Sequence, residues 1–159
     1  LTLLAPAPGV DRLVIMSAGK ADKVDEQSLQ AVGGHLYAAL ARTKAKTAAV
    51  LVEAVARNRK LSVSAEVAYG AVLRSYRFDK YRTKLKAEDK PQLASLTFHG
   101  KGAADARKAY TRHEALASAI AFTRDLVSEP PNVLYPESYA DEILKLRKLG
   151  VKVTVLDGK

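Results

Sequence analysis

The sequence predicts an α/β protein, and three observations predict it. Along the 159 residues the period of the apolar positions switches repeatedly between strand-like and helical spacing. Glycine and proline punctuate the switches, at Gly19, Gly100, Gly102, Pro130, Pro131 and Gly150. The composition, 48% hydrophobic and 27% charged, is that of an ordinary globular chain, and the length suits one domain or one domain plus part of another.

The elements follow in order. Leu13-Val14-Ile15-Met16 is a short apolar run ended by Gly19 and reads as a buried strand. From Gln27 to Thr43, Leu29, Val32, Leu36 and Leu40 recur every three or four residues, which is one face of a helix. Ala48 to Val52 is apolar and reads as the next strand. Leu61 to Tyr76 carries Val63, Val67, Val72 and alanines at helical spacing, weakened by Gly70. The stretch from Arg74 to Lys90 is charged and reads as an exposed loop. Leu93 to Phe98 alternates as a strand does, and His99-Gly100-Lys101-Gly102 breaks it. Ala103 to Ser128 is a long helical pattern that stops at Glu129-Pro130-Pro131, because proline cannot continue a helix and restricts the residue before it. Pro136 suits the first turn of another helix, running through Tyr139, Ile143, Leu146 and Leu149 to a stop at Gly150. Val151 to Leu156 alternates into a last strand.

No internal repeat or low-complexity tail interrupts this order. The Pro130-Pro131 pair is the best boundary signal. One helix and one strand after it cannot bury both of their faces, so that unit reads as the opening of a second domain. Together with the Leu start, it suggests a piece of a longer subunit. The beginning, Leu1-Thr2-Leu3-Leu4-Ala5-Pro6, has neither the basic region nor the cleavage site of a signal peptide.

Several chemistries are excluded early. There is no cysteine, hence no disulfide scaffold, thiol nucleophile or Cys-ligated zinc. The longest apolar stretches fall short of the roughly 18–20 residues of a membrane span. Of the three histidines, His35 lies in an Ala- and Leu-rich helix, and His113 lies between Arg112 and Glu114 on what reads as a solvated face. None has a partner at the spacing of a metal motif. The turn from His99 to Gly102 follows a strand and precedes a helix, as phosphate loops do, but lacks the spacing of either phosphate-binding glycine motif. The carboxylate pairs Asp125/Glu129 and Glu137/Asp141 stand four apart. Helix capping and surface pairing account for both.

Charge is the stronger signal. The net charge is +9, and residues 74–90 hold seven basic against three acidic residues, a net +4. Arg74, Arg77, Lys80, Arg82, Lys84 and Lys86, interleaved with Tyr76, Phe78 and Tyr81, are candidate contacts to phosphate and base in a nucleic acid. The alternative is a solvated loop that is basic for solubility. No helix-turn-helix or other named nucleic-acid motif accompanies it.

The segment Phe122-Thr123-Arg124-Asp125-Leu126-Val127-Ser128-Glu129-Pro130-Pro131-Asn132-Val133-Leu134-Tyr135-Pro136 closely resembles the junction sequence of the leucyl aminopeptidase family, also called cytosol aminopeptidases. In that family a connecting helix ends in a pattern like R-[DN]-L-x-N-x-P-x-N-x-x-x-P. Arg124, Asp125, Leu126, Pro130, Asn132 and Pro136 match it, and Ser128 stands where the family usually has Asn. The stretches Gly9 to Val14, Gly70 to Tyr81 and Gly150 to Asp157 are also similar to the family.

The resemblance implies a macro-domain-like N-terminal α/β domain over 1–105, a connecting helix and Pro-Pro boundary over 106–132, and the beginning of a truncated second α/β domain, the peptidase domain, over 133–159. It implies a parent enzyme that removes N-terminal residues from peptides, using two divalent metals, zinc or manganese, that activate a bridging water. It also implies a cytoplasmic homohexamer. The family's metal ligands and catalytic Lys and Arg lie beyond this stretch, and its hallmark N-T-D-A-E-G-R-L is not present. No catalytic or metal-binding residue is therefore assigned here, and the chain alone is expected to be inactive, serving assembly and access. The alternative is a regulatory DNA-binding module that uses the basic loop, since some relatives bind DNA. A nucleotide site at the glycines of 99–102 is a third and weaker reading.

Overall fold

In the computed structural model the described residues are 1–52, 62–100 and 102–156. Leu61, Lys101 and Asp157, which the sequence reading used, lie outside them. The protein is mixed α/β. It has four strands, β1 (Thr2–Ala7), β2 (Val10–Val14), β3 (Thr47–Leu51) and β4 (Ser95–His99), and four helices, α1 (Glu26–Ala41), α2 (Val63–Ser75), α3 (Ala103–Ser128) and α4 (Pro136–Leu144), among the described residues. The chain divides into two compact units, Leu1–Ala119 and Ile120–Lys159, the division falling within α3.

In the first unit, β1 and β2 form an antiparallel hairpin whose turn uses Gly9 at φ +79°, a left-handed conformation that suits glycine. The expected buried strand at Leu13–Met16 is thus corrected: the strand is Val10–Val14, it stops short of Ile15 and Met16, and all of it except Val14 is exposed. Val14 and Met16 reach the core while Leu13 and Ile15 are exposed, the period-2 alternation of a hairpin with one covered face. β1 went unread because Pro6 breaks its pattern.

β3 and β4 pair in parallel from Thr47↔Ser95 to Leu51↔His99, with α2 in the connection between them. Both strands alternate exposed and covered positions, and Ala48, Val50, Leu96 and Phe98 pack on the core. The core itself is Leu29, Leu36 and Leu40 of α1 with Val67 of α2. These are among the apolar positions that the three-and-four spacing selected; Val32 and Val63 pack against them partly buried, whereas Val72 is exposed.

α1 starts at a capping box. Asp25 Oδ1 accepts from Ser28 N at 2.8 Å, and Ser28 Oγ accepts from Asp25 N at 2.9 Å. α1 and α2 cross closely at two glycines. A Cβ on Gly33 would stand 2.0 Å from the Val67 carbonyl oxygen, and one on Gly70 would stand 1.9 Å from that of Gln30. Gly70 weakens α2 as an isolated helix and permits its packing.

α3 spans the expected residues and stops before Pro130. In the second unit, α4 begins at Pro136 and ends at Leu144, and the chain tightens into a 3₁₀ turn over Lys145–Leu149 that Gly150 closes at φ +85°. The expected strand at Val151–Leu156 is a correction: these residues alternate but make no ladder among the described residues. Alternation provides two faces, whereas a strand also requires a partner for its backbone groups.

Candidate functional site

Three places can be built from the residues upward. The first is the basic loop. It leaves α2 at Tyr76 and runs to Lys90 without a helix or strand apart from a 3₁₀ turn at Ala87–Asp89. Asp79 organises its first half. Arg77 Nε donates to Asp79 Oδ2 at 2.7 Å and Nη2 to Oδ1 at 3.3 Å, while Arg82 Nε lies 3.8 Å away. The hydrogen bond from Arg77, then the charges of Arg77, Arg82 and Lys90, hold the Asp79 carboxyl below its ordinary 3.8.

Lys80 lies over the Tyr81 ring at 5.4 Å, and Tyr81 leans on Phe78 at 5.8 Å. Lys86 sits 3.7 Å from Glu88, Lys84 is exposed, and Arg74 closes the last turn of α2. Of the six sequence candidates, then, Arg77 and Arg82 meet at one carboxylate and Lys86 has its own acid. Part of the loop's positive charge is thus held in short local pairs, and a net +4 remains over residues 74–90. Exposed pairs of this kind contribute little to stability.

The second place is a cavity of about 550 Å³ lined by α2, β4, the start of α3 and Tyr37 of α1. Ala65, Ala68, Ala71, Ala103 and Ala106 leave the space that larger side chains would fill, and Tyr110 and Arg107 give it a polar side. Burial, and then the nearby Glu114 charge, push the Tyr110 phenol above 10.0. The described residues of the turn at 99–102 do not line this cavity. Gly100 instead packs against Val52, whose carbonyl oxygen lies 3.0 Å from where a Cβ would be.

The third place escaped the sequence reading. Glu66 of α2 is buried, with Gln30 Nε2 donating to Oε2 at 2.8 Å and His113 Nε2 at 2.8 Å from Oε1. The His113 ring lies on Tyr69, with centroids 4.6 Å apart and planes 15° apart. The expected solvated face for His113 is thus corrected: its side chain is one-fifth exposed and engaged on two sides. The available signal was Glu66 itself, a lone acid in the apolar run of α2.

A metal pair does not fit these residues. Among the described residues no three His, Asp or Glu side chains gather where they could hold an ion. Glu66 and His113 offer two donors, and the third neighbour, Gln30, gives its amide N–H to the carboxylate. No helix among the described residues is long and apolar enough to cross a membrane.

Comparison with known proteins bears on this arrangement. The probable cytosol aminopeptidase of Wolbachia pipientis wMel is 40% identical over 155 residues, covering 96% of this chain and 29% of that protein. The protein of the same name in Afipia carboxidovorans is 38% identical over 161 residues, covering 100% of this chain and 32% of that one. The chain thus spans under a third of the length of these relatives.

Among solved structures, the bottromycin maturation enzyme BotP in complex with Mn matches with a TM-score of 0.73 at 26% identity, over 94% of this chain and 30% of that one. A tomato leucine aminopeptidase variant matches with a TM-score of 0.73 at 22% identity, over 94% of this chain and 29% of that one, which shows a shared fold. Residues 1–85 match the cytosol aminopeptidase family, N-terminal domain. The chain belongs to the cytosol aminopeptidase family, within which it carries the N-terminal domain.

Proposed function

We propose that the parent protein is a cytoplasmic, metal-dependent aminopeptidase that removes N-terminal residues from peptides, and that residues 1–159 serve its assembly and substrate access. The observation that carries this reading is the match of 1–85 to the family's N-terminal domain, with nearly the whole chain aligned to under a third of named aminopeptidases. BotP, which shares this fold, was solved in complex with Mn, and that supports a divalent metal in the parent, manganese or zinc. The residues that hold the metal pair and the catalytic Lys and Arg belong to the rest of the parent subunit. Within the chain we assign 1–105 to the N-terminal domain, 106–132 to the connecting helix and Pro-Pro boundary, and 133–159 to the beginning of the peptidase domain. The parent's assembly is a homohexamer.

The test uses the parent protein and a variant lacking 1–105. The parent is expected to hydrolyse leucine p-nitroanilide, to lose that activity to a chelator and to regain it with Mn²⁺ or Zn²⁺. The deletion is expected to change the number of subunits per particle in sedimentation or the KM for longer peptides. Chelator-resistant turnover, or a deletion variant with an unchanged number of subunits and unchanged KM, overturns the reading.

A further inference from the structure

Glu66 is 6% exposed, the buried charged side chain among the described residues, and both of its oxygens are engaged from other helices. Gln30 reaches Oε2 from α1, and His113 reaches Oε1 from α3, across 36 and 47 residues of sequence. His113 also lies flat on Tyr69, three residues further along α2. These contacts are unequal in what they hold. α1 and α2 already share the Leu29, Leu36, Leu40 and Val67 core and the glycine crossing. Within α3, Ala117 is the buried residue, and Leu116 is exposed.

We propose that His113 is the clasp that holds the first half of α3, residues 103–119, onto the α1–α2 pair. A carboxylate only accepts, so Nε2 carries the hydrogen. Both the neutral Nε2–H tautomer and the imidazolium supply it, and the clasp closes with either. The bond is charge-assisted and sheltered, which makes it stronger than an exposed pair. The stack on Tyr69 fixes the ring plane so that Nε2 points at Oε1. His113 acts as a positioning residue: it sets where α3 lies.

Hydrogen–deuterium exchange on the 159-residue chain tests this, with His113→Ala, which removes ring and donor, and His113→Gln, which keeps an N–H donor without the stack. In His113→Ala, amides of 106–117 are expected to exchange about tenfold faster or more, while amides around Leu36 and Val67 stay slow. His113→Gln is expected to fall between wild type and His113→Ala. Unchanged exchange in 106–117 overturns the proposal, as does uniform acceleration of α1, α2 and α3 in both variants. Should His113→Ala lose protection throughout, His113→Gln decides: acceleration confined to α3 supports the clasp, and uniform acceleration overturns it.

Discussion

Single side chains do identifiable work at both ends of the α1–α2 layer. Asp25 caps α1 through Ser28, and its carboxyl is held below 3.8 first by the Ser28 backbone N–H and then by the Ser28 hydroxyl. Asp79 is likewise lowered by Arg77. For both groups the folded state binds the proton less tightly than the unfolded chain. Their contribution to stability is therefore present above pH 3.8 and is lost as pH falls through the lower folded value. Thermal melts at neutral pH should place Asp25→Ala roughly 2–4 °C below wild type. The gap should narrow in acid, and a gap that stays constant down to pH 2 contradicts the cap. Residue-scale pairings were legible when they were local. The carboxylate of Glu66 meets a histidine 47 positions away, and no spacing rule connects the two before the helices pack.

The elements show where periodicity sufficed. The Leu29–Leu36–Leu40 stripe named the buried face of α1, and alternation named β4, because one covered face imposes its period directly on the sequence. It did not suffice for β1, where Pro6 hides the pattern, or for Val151–Leu156, which has the pattern and no ladder among the described residues. Gly70 illustrates the limit of propensity. As a helix residue it costs stability, yet the Gln30 carbonyl oxygen 1.9 Å from its missing Cβ leaves no room for any other side chain. Gly70→Ala should therefore destabilise the chain, by about 3 kcal/mol, because the obstructing atom is backbone and the helices must separate. Urea unfolding measures this. A variant as stable as wild type, which helix propensity alone would predict, contradicts the close crossing.

For the whole molecule, the resemblance was most specific at the junction, Arg124 to Pro136, with further likeness at Gly9 to Val14, Gly70 to Tyr81 and Gly150 to Asp157, and the comparisons place the chain in the family that these segments suggested. No described residue of 120–156 is buried, and Val127, Leu149 and Leu156 are largely exposed. The charge is the other global property. DNA binding through 74–90 predicts affinity for a duplex that falls steeply with salt, with a slope that flattens by about three when Arg82, Lys84 and Lys86 are all changed to Glu. Absence of binding at low salt assigns the +9 to solubility. The central claim is that this chain takes no part in the chemistry of peptide hydrolysis. The direct measurement is turnover of leucine p-nitroanilide by the purified 159-residue chain in the presence of Mn²⁺. The account predicts no rate above the metal-only blank, and a chelator-sensitive rate proportional to protein concentration would contradict it.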